Sequence, residues 1–249
     1  MERFDSLRFP LHSANFLSVA VIIPAVNEEL SIGKVLRDIP SDVQWVIVAD
    51  NGSTDGTARA AREQGAQVVS EPRRGYGFAC LAGIANLPAG AEIVVFMDGD
   101  YSDYPAEVTD LVSALVEHQA DLVIGSRVLG EREKGSLTPQ QRFGNWLSTR
   151  MIRVLYGFSY TDLGPFRAIR TDALQRLNMQ DVTYGWTVEM QVKALQHRMK
   201  VVEVPVRYRK RIGKSKVSGT VSGSVKAGVK ILWTIGKLAI KKPKIAHRG

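Results

Sequence analysis

The chain has 249 residues, 45% hydrophobic and 23% charged, which suits one folded α/β domain and excludes a largely disordered protein. Its only cysteine, Cys80, excludes an internal disulfide framework and favours a reducing cytosolic setting. The net charge is +8, and the excess of basic residues lies in the C-terminal part, where residues 197–249 contain 15 Lys and Arg residues and one acidic residue, Glu203. Such a segment could bind anionic lipid, nucleic acid or a phosphorylated substrate.

Residues 1–18 are interpreted as a leader. The longest uncharged stretch nearby, residues 9–27, includes two prolines, His12 and two asparagines, so it lacks the roughly 20 apolar residues that a spanning helix needs. The N-terminus also lacks a basic segment followed by a small-residue cleavage site, so we expect a cytoplasmic protein. After the leader we expect one α/β domain at residues 19–220 and a basic amphipathic helix and tail at residues 221–249.

Short apolar runs alternate with helical patterns in the first half of the chain. Residues 19–24 (VAVIIP) have the continuous, β-branched character of a strand that is buried on both faces of a parallel sheet. Apolar residues at helical spacing follow at Ile32, Val35, Leu36 and Ile39. Further strands are predicted at residues 44–49, 67–70 and 92–97, and helices at residues 57–64 and 75–85. This alternation predicts a doubly wound, mostly parallel sheet whose first half is Rossmann-like.

The second half continues the pattern less regularly. Helices are predicted at residues 105–118 and 140–156, and strands at residues 121–125 and 201–205. A last helix, residues 221–242, has an apolar stripe with lysines beside it. Such a helix can lie in a membrane interface or cover the core with its lysines solvated, and the sequence leaves both interpretations open.

Three polar clusters each follow a predicted strand, at Asn27, Asp50 and Asp98. Ligands of such sheets bind at the carboxyl ends of the strands, so we expect the three clusters to share one crevice. Asp98 and Asp100 are separated only by Gly99, and two such carboxylates can chelate Mg²⁺ or Mn²⁺ together with a diphosphate. The alternative is a turn in which each Asp bonds its own backbone.

Two further segments have weaker signals. Residues 50–53 offer groups that can bind a nucleobase and ribose, or that simply cap the next helix. Residues 73–77 (RRGYG) place two cations before a helix start and could hold phosphate oxygens. Neither a phosphate-binding G-x-x-x-x-G-K-[ST] loop nor a G-x-G-x-x-G after the first strand is present, so P-loop NTPases and dinucleotide oxidoreductases are not supported.

With these motifs the chain resembles family 2 glycosyltransferases, and among them the polyprenyl-phosphate (dolichol-phosphate) mannosyl- or glucosyltransferase group. Residues 24–28 (PAVNE) resemble the family's P-x-x-N-E loop, residues 50–57 its D-[DN]-G-S-x-D-G-T box, and Asp98 to Asp100 its D-x-D metal site. The resemblance covers residues 19–220 and implies a GT-A fold with Mg²⁺ or Mn²⁺ held by Asp98 and Asp100. The residues we assign to the nucleotide-sugar are Pro24, Ala25, Asn27, Glu28, Asp50, Gly77 and Asp98.

The resemblance extends to the acceptor side. Residues 125–127 resemble a G-[ST]-R element, residues 161–167 a T-D-x-x-x-G/P-F-[RK] region, and residues 211–216 a basic R-x-G-x-S-K loop. One departure is Ser102, which stands where the group often has Gln as a further metal ligand. The acceptor implied is a lipid phosphate, and the cations and hydroxyl that we assign to it are Arg127, Arg211, Lys214, Ser215 and Lys216.

Other acceptors and other functions stay open. An ionised phosphate needs no strong base, whereas a hydroxyl acceptor would need one, for which Asp162 and Glu189 are the candidates. In the simpler interpretation Asp162 caps a turn or pairs with Arg167, and Glu189 pairs with Lys193 one helical turn later. A non-enzymatic basic binding protein is the last alternative. Nucleic acid is not expected as a partner, because the tail has few aromatic residues among its cations.

Overall fold

The structure is a computed structural model that describes residues 17–213 and 221–240. Its strands are β1 (Val19–Ala25), β2 (Trp45–Asp50), β3 (Gln67–Ser70), β4 (Ile93–Phe96), β5 (Leu122–Ser126), β6 (Arg167–Arg170) and β7 (Val201–Pro205). Its helices are α1 (Glu29–Asp38), α2 (Thr57–Glu63), α3 (Tyr76–Ala85), α4 (Val108–Glu117), α5 (Pro139–Tyr156), α6 (Thr171–Leu177), α7 (Trp186–Gln196) and α8 (Val221–Ile240). A 3₁₀ turn at Pro105–Glu107 precedes α4.

The seven strands of this described part form one sheet in the order β3-β2-β1-β4-β6-β5-β7. Neighbouring strands run parallel except at β6, which is antiparallel to both β4 and β5. Because β1, β2 and β4 are adjacent and parallel, their carboxyl ends meet at one edge of the sheet. The predicted doubly wound, mostly parallel α/β fold is therefore confirmed.

The hydrophobic core lies on both faces of the sheet. Along β1, Val21 and Ile23 face the layer that contains α1 and α4, whereas Ile22 faces the opposite layer with α3, α6 and α7. This alternation follows from the two-residue period of a strand, and it explains why both kinds of position in β1 are apolar. On the second face, Phe96 of β4 packs edge-on against Trp186 of α7, with ring centroids 6.0 Å apart.

Strand β6 and helices α6 and α7 were not predicted. The four residues of β6 include two arginines and contain no apolar run, so nothing in the sequence distinguishes them from a loop. In the fold, however, Arg167 is buried and donates hydrogen bonds to the main-chain oxygens of Thr187 and Gly164. A buried arginine is tolerated here because carbonyl groups meet part of its hydrogen-bonding demand.

The predicted last helix corresponds to α8, which packs against α5 and α7. Its Thr234 and Ile235 are buried, and Tyr156 of α5 donates a hydrogen bond to the main-chain oxygen of Ile235 over 3.1 Å. Residues 214–220 lie outside the described part, as do the leader up to residue 16 and the tail from residue 241. The division of the chain into leader, domain and C-terminal helix stays a prediction.

Candidate active site

The loops after β1 and β2 hold each other at the carboxyl edge of the sheet. The main-chain N–H of Asn27 donates to Ser53 Oγ (2.9 Å), and that of Thr54 donates to Asn27 Oδ1 (2.8 Å). The N–H of Glu28 donates to Thr57 Oγ1 over 2.7 Å. Asn27 has a φ of 53°, in the left-handed region that Asn tolerates better than most residues. The P-x-x-N-E loop and the D-[DN]-G-S-x-D-G-T box therefore form one interlocked unit, with Pro24, Ala25 and Asp50 at its base.

Asn51, which the sequence did not single out as a structural residue, fixes the next loop to this unit. Its buried amide donates to the main-chain oxygens of Glu71 (3.0 Å) and Arg73 (2.6 Å) and accepts from the N–H of Gly75 (2.8 Å). The segment between β3 and α3 is therefore held against the end of β2. Arg73, one of the two cations expected to hold phosphate, forms an ion pair with Glu71 at 2.6 Å instead.

Asp98 and Asp100 lie just beyond the end of β4. The Tyr76 hydroxyl donates to Asp98 Oδ1 over 3.2 Å. Asp100 Oδ1 accepts from both the N–H (2.9 Å) and the hydroxyl (2.5 Å) of Ser102. Ser102 is thus a partner that fixes the Asp100 carboxylate, and Asp100 Oδ2 faces away toward Arg211.

A third carboxylate, Asp103, belongs to the same cluster. It is buried, its Oδ2 accepts from the N–H of Asp98 (3.4 Å), and its Oδ1 has no hydrogen-bond partner among the described residues. Burial raises its pKa well above the ordinary value, and the charges of Asp98 and Asp100 raise it further. The D-x-D-x-x-D spacing was the available signal for this residue, and our sequence interpretation missed it.

Of the two carboxylates of the D-x-D motif, Asp98 has a shifted pKa. Burial raises the pKa of Asp98 to about 7, and the neighbouring charge of Asp100 acts in the same direction. The cations of Arg211 and Arg127 and the Tyr76 hydroxyl oppose that shift. The ionised form of Asp98 is therefore disfavoured in this site, and a bound cation would stabilise it.

The donor atoms at this site fit Mg²⁺ or Mn²⁺. Both ions prefer carboxylate, phosphate and water oxygens, and Mg²⁺ is typically held by one or two carboxylates together with substrate phosphates. Asp98 and Asp100 line the same cavity and provide such carboxylates. Over residues 17–213 and 221–240, no group of three His, Cys, Asp or Glu side chains is arranged to hold a metal alone. The remaining ligands would therefore come from the diphosphate and from water.

Beside the two aspartates lies a cavity of about 270 Å³. Two cations line it, Arg127 from the loop after β5 and Arg211. Its walls come from helices α5 and α8, which contribute Gln140, Gln141, Gly144, Asn145, Ala227, Gly228 and Ile231. The structure thus brings Asp98, Asp100, Arg127 and Arg211 together as the sequence predicted, whereas Lys214, Ser215 and Lys216 lie outside the described residues.

Asp162 holds Arg127 in place. Its carboxylate accepts two guanidinium hydrogen bonds, from Nε (2.7 Å) and Nη2 (2.8 Å), and a third from the Arg127 main-chain N–H (2.9 Å). The partner suggested from the sequence, Arg167, was therefore wrong. Burial raises the pKa of Asp162, but the charge and hydrogen bonds of Arg127 outweigh this and leave it below the ordinary value. A carboxylate so engaged is a poor general base.

Glu189 lies away from this cavity. Its oxygens accept from the N–H groups of Gln180 (3.1 Å) and Asp181 (2.7 Å) and pair with Lys193 at 2.7 Å. It lines a separate cavity between α7 and α8. The assignment of Glu189 to the acceptor is therefore corrected to a structural role, in which it fixes the loop before α7.

Gly77 also has a structural role that the sequence did not indicate. A Cβ atom at this position would lie 2.0 Å from the main-chain oxygen of Asp181, and the N–H of Phe78 donates to the oxygen of Val182 over 3.1 Å. One side of the first turn of α3 is thus packed against the protein's own backbone, which explains why a glycine is needed at position 77. The assignment of Gly77 to the nucleotide-sugar stays a prediction.

The GT-A arrangement of the sheet and the carboxylate pair at its edge agree with what the sequence comparisons show. The sequence model of glycosyl transferase family 2 matches residues 20–177, more than half of the chain. The chain therefore belongs to glycosyl transferase family 2.

Individual relatives are more specific. The chain is 39% identical over 210 residues to an uncharacterized glycosyltransferase of Mycobacterium tuberculosis, covering 84% of this chain and 93% of that protein. It is 31% identical over 230 residues to the undecaprenyl-phosphate mannosyltransferase of Micrococcus luteus, covering 86% and 93%. The resemblance to the polyprenyl-phosphate group is thus confirmed.

Among solved structures, the chain is similar to the glucosyl-3-phosphoglycerate synthase of Mycobacterium tuberculosis in complex with Mn²⁺, UDP-glucose and phosphoglyceric acid. The TM-score is 0.72, the identity 22%, and the match covers 91% of this chain and 81% of that one. At this identity the similarity shows the fold alone.

Proposed function

We propose that this enzyme transfers a hexose from a nucleoside diphosphate sugar to a polyprenyl phosphate, with inversion at the anomeric carbon. The observation that carries the proposal is the make-up of the cavity beside Asp98 and Asp100. Two cations line it, and the two helices that contribute most of its other residues, α5 and α8, also have exposed apolar side chains. An acceptor with an anionic head and an apolar tail matches both features.

On the donor side, the interlocked loops with Pro24, Ala25, Asn27, Glu28 and Asp50 would bind the nucleoside. Asp98 and Asp100 would hold Mg²⁺ or Mn²⁺, which supplies positive charge against the departing nucleoside diphosphate. Tyr76 and Ser102 keep the two carboxylates oriented through the hydrogen bonds described above. The donor base, uridine or guanosine, and the sugar are to be determined by the assay below.

On the acceptor side, Arg127 and Arg211 would bind the phosphate, with Lys214, Ser215 and Lys216 as further candidates from the basic loop. A phosphate oxygen attacks the anomeric carbon while the bond from that carbon to the donor's β-phosphate oxygen breaks. No proton has to be removed, because the phosphate is already ionised at neutral pH. This agrees with the contacts of Asp162 and Glu189, the two candidate bases, whose carboxylates are both engaged in ion pairs.

The outer sides of α5 and α8 support a lipid acceptor. Phe143 and Trp146 of α5 are exposed and stack at 5.8 Å, each next to a residue that lines the cavity. On α8, Trp233 is 65% exposed and Val229 is 62% exposed. The helices touch where a Cβ at Gly236 would lie 3.8 Å from Met151. We refer to the exposed apolar residues of α5 and α8, namely Phe143, Trp146, Val154, Val229 and Trp233, as the apolar face.

Cations flank the apolar face, as expected for contact with an anionic membrane. The exposed ones are Arg142, Arg150 and Arg153 on α5 and Lys226 and Lys237 on α8. We therefore place the enzyme at the inner face of the membrane as a peripheral protein. None of the described helices is both long and apolar enough to cross a bilayer.

The test is a transfer assay with purified protein, radiolabelled UDP- and GDP-sugars, Mg²⁺ or Mn²⁺, and either polyprenyl phosphate or phosphoglycerate as acceptor. We expect label in the lipid extract with one donor and polyprenyl phosphate. Asp100→Asn should lower transfer at least about 100-fold, because a bound cation contributes several kcal/mol to such a step. Asp42→Asn, at an exposed turn, is the matched control. Label appearing only in phosphoglycerate would contradict the lipid acceptor and favour a hydroxyl one.

A further inference from the structure

Arg211 joins the two halves of the donor site. Its Nη2 lies 3.1 Å from Glu28 Oε1, in the loop after β1, and its Nη1 lies 3.2 Å from Asp100 Oδ2, after β4. The backbone keeps it there, since the N–H of Ile212 donates to the main-chain oxygen of Asp100 over 2.9 Å. Glu28 and Asp100 are both buried, so this guanidinium offsets two charges that water reaches poorly.

The contact with Asp100 involves the oxygen that a metal ion would use. Asp100 Oδ1 already accepts two hydrogen bonds from Ser102, so Oδ2 is the oxygen of this carboxylate that Ser102 does not engage. That atom pairs with Arg211. A divalent cation and a guanidinium cannot share one carboxylate oxygen at close range without repulsion, so the two compete for it.

We propose that Arg211 is an exchange residue that couples metal binding to donor binding. While it pairs with Glu28 and Asp100, it weakens the binding of the cation; when a nucleoside diphosphate enters, its phosphate oxygens offer Arg211 a stronger, bidentate partner. Asp100 is then released to the metal. The proposal rests on the donor half of the proposed function, and it gives Arg211, assigned above to the acceptor phosphate, a role at the donor diphosphate as well.

A further detail supports the exchange. Arg211 Nε is buried and has no hydrogen-bond acceptor within residues 17–213 and 221–240. The ion pairs with Glu28 and Asp100 thus leave one strong donor unused, and a phosphate oxygen could accept it. Such a coupling is reciprocal: if the diphosphate strengthens metal binding by some factor, the metal strengthens diphosphate binding by the same factor.

The experiment measures Mn²⁺ binding to the full-length protein by electron paramagnetic resonance, and UDP and GDP binding by calorimetry with and without Mn²⁺. No acceptor is added. In Arg211→Gln we expect Mn²⁺ alone to bind about 5-fold to 10-fold tighter, with the enhancement of nucleotide binding by Mn²⁺ reduced by a similar factor. Lys210→Gln removes the same charge one residue away, on an exposed side chain, and should change both values less than about twofold.

Thermal unfolding checks that each variant is folded. If Arg211→Gln does not fold, Arg211→Lys replaces it, because it keeps the charge but loses the two-pronged contact and should give an intermediate result. Unchanged or weaker Mn²⁺ binding in the folded variant overturns the proposal. Absence of Mn²⁺ binding in the wild type, even with nucleotide, refutes the metal assignment itself and the exchange with it. A failure of lipid transfer in the earlier assay would contradict neither the metal assignment nor the exchange by Arg211.

Discussion

At the scale of single residues, Arg127 owes its position to Asp162. The ion pair is almost fully buried, with Asp162 1% and Arg127 13% exposed in their side chains. The ring of Tyr208 lies 5.0 Å from the guanidinium carbon on another side. A cation held so tightly keeps its direction before any anion arrives, which lowers the cost of ordering when one binds.

Asp162→Asn should therefore lower the free energy of unfolding by about 3 kcal/mol, since it leaves the Arg127 guanidinium buried without a counter-charge. Urea denaturation at pH 7 measures this. Asp172→Asn, which breaks an exposed ion pair with Arg176, is the matched control and should change stability little. A loss in the Asp162 variant no larger than in the control would contradict the buried-pair explanation.

The same pair predicts a pH dependence. The pKa of Asp162 is lower in the folded protein than its ordinary value of 3.8, because Arg127 outweighs the effect of burial. A carboxyl of this kind stabilises the fold above its ordinary pKa and loses that contribution as the pH falls through the folded value. The stability difference between wild type and Asp162→Asn should be full at pH 7 and shrink as the pH falls below 3.8.

The sequence predicted the position of residues at the carboxyl edge of the sheet, but not the role of residues that contact a distant loop. Asp98, Asp100, Arg127 and Arg211 converge because each follows a strand or strand-like segment at one edge of the sheet, and that edge is visible in the pattern of strands. The structural roles of Glu189 and Gly77 were missed because they depend on the loop at residues 179–185, which touches them only in the fold. Long-range main-chain contacts of this kind leave no local mark in the sequence.

At the scale of elements, α5 has strong signals at both ends. Thr138 accepts from the N–H of Gln141 (3.2 Å), and the Gln141 side chain accepts from the N–H of Thr138 (2.8 Å). Pro139 occupies the first turn, and Gly157 ends the helix with a φ of 73°. This reciprocal cap also orients Gln141, which lines the cavity.

Thr138→Ala should destabilise the protein by about 1 kcal/mol, because the cap hydroxyl is lost and the first N–H groups of α5 lose their acceptor. Chemical denaturation followed by circular dichroism measures the change. Thr149→Ala makes the same substitution within α5, where alanine is a better helix former, and should not destabilise. Equal losses in the two variants would argue against the cap.

The elements that the sequence predicted well are those with a strong period. Strands β3 and β7 have the predicted bounds, and the other predicted strands differ by at most two residues at an end. Strand β6 could not be found, because its place between β4 and β5 depends on ladder pairing with residues 43 to 77 positions away in the sequence. Its arginines favour a loop when the segment is considered alone.

At the scale of the whole molecule, the proposed contact of the apolar face with a membrane would fix the orientation of the enzyme. Replacing Trp146 and Trp233 together by Ser should lower partitioning onto anionic vesicles at least about tenfold. Each replacement removes the free energy of burying one indole in the membrane, about 1.5–3 kcal/mol. Co-sedimentation with phosphatidylglycerol-containing vesicles measures it. Truncation of α8 would be a poorer test, because Thr234 and Ile235 are part of the core.

The control for this experiment is Leu30→Ser. Leu30 is 75% exposed and belongs to α1, on the opposite face of the sheet from α5 and α8. Its replacement removes exposed apolar surface without touching the apolar face, so vesicle binding should be unchanged. Binding of the double tryptophan variant at wild-type strength would exclude this face as the membrane contact.

The position of α8 in the sequence affects the order in which the site can form during synthesis. The P-x-x-N-E loop and the D-[DN]-G-S-x-D-G-T box lie within the first 57 residues, but Ala227, Gly228 and Ile231 line the cavity beside Asp98 and Asp100 from much later in the chain. Ribosomes deliver the N-terminal part first, so a nascent chain can assemble the two loops while the wall formed by α8 is still missing. The cavity is therefore complete only after α8 has been synthesised.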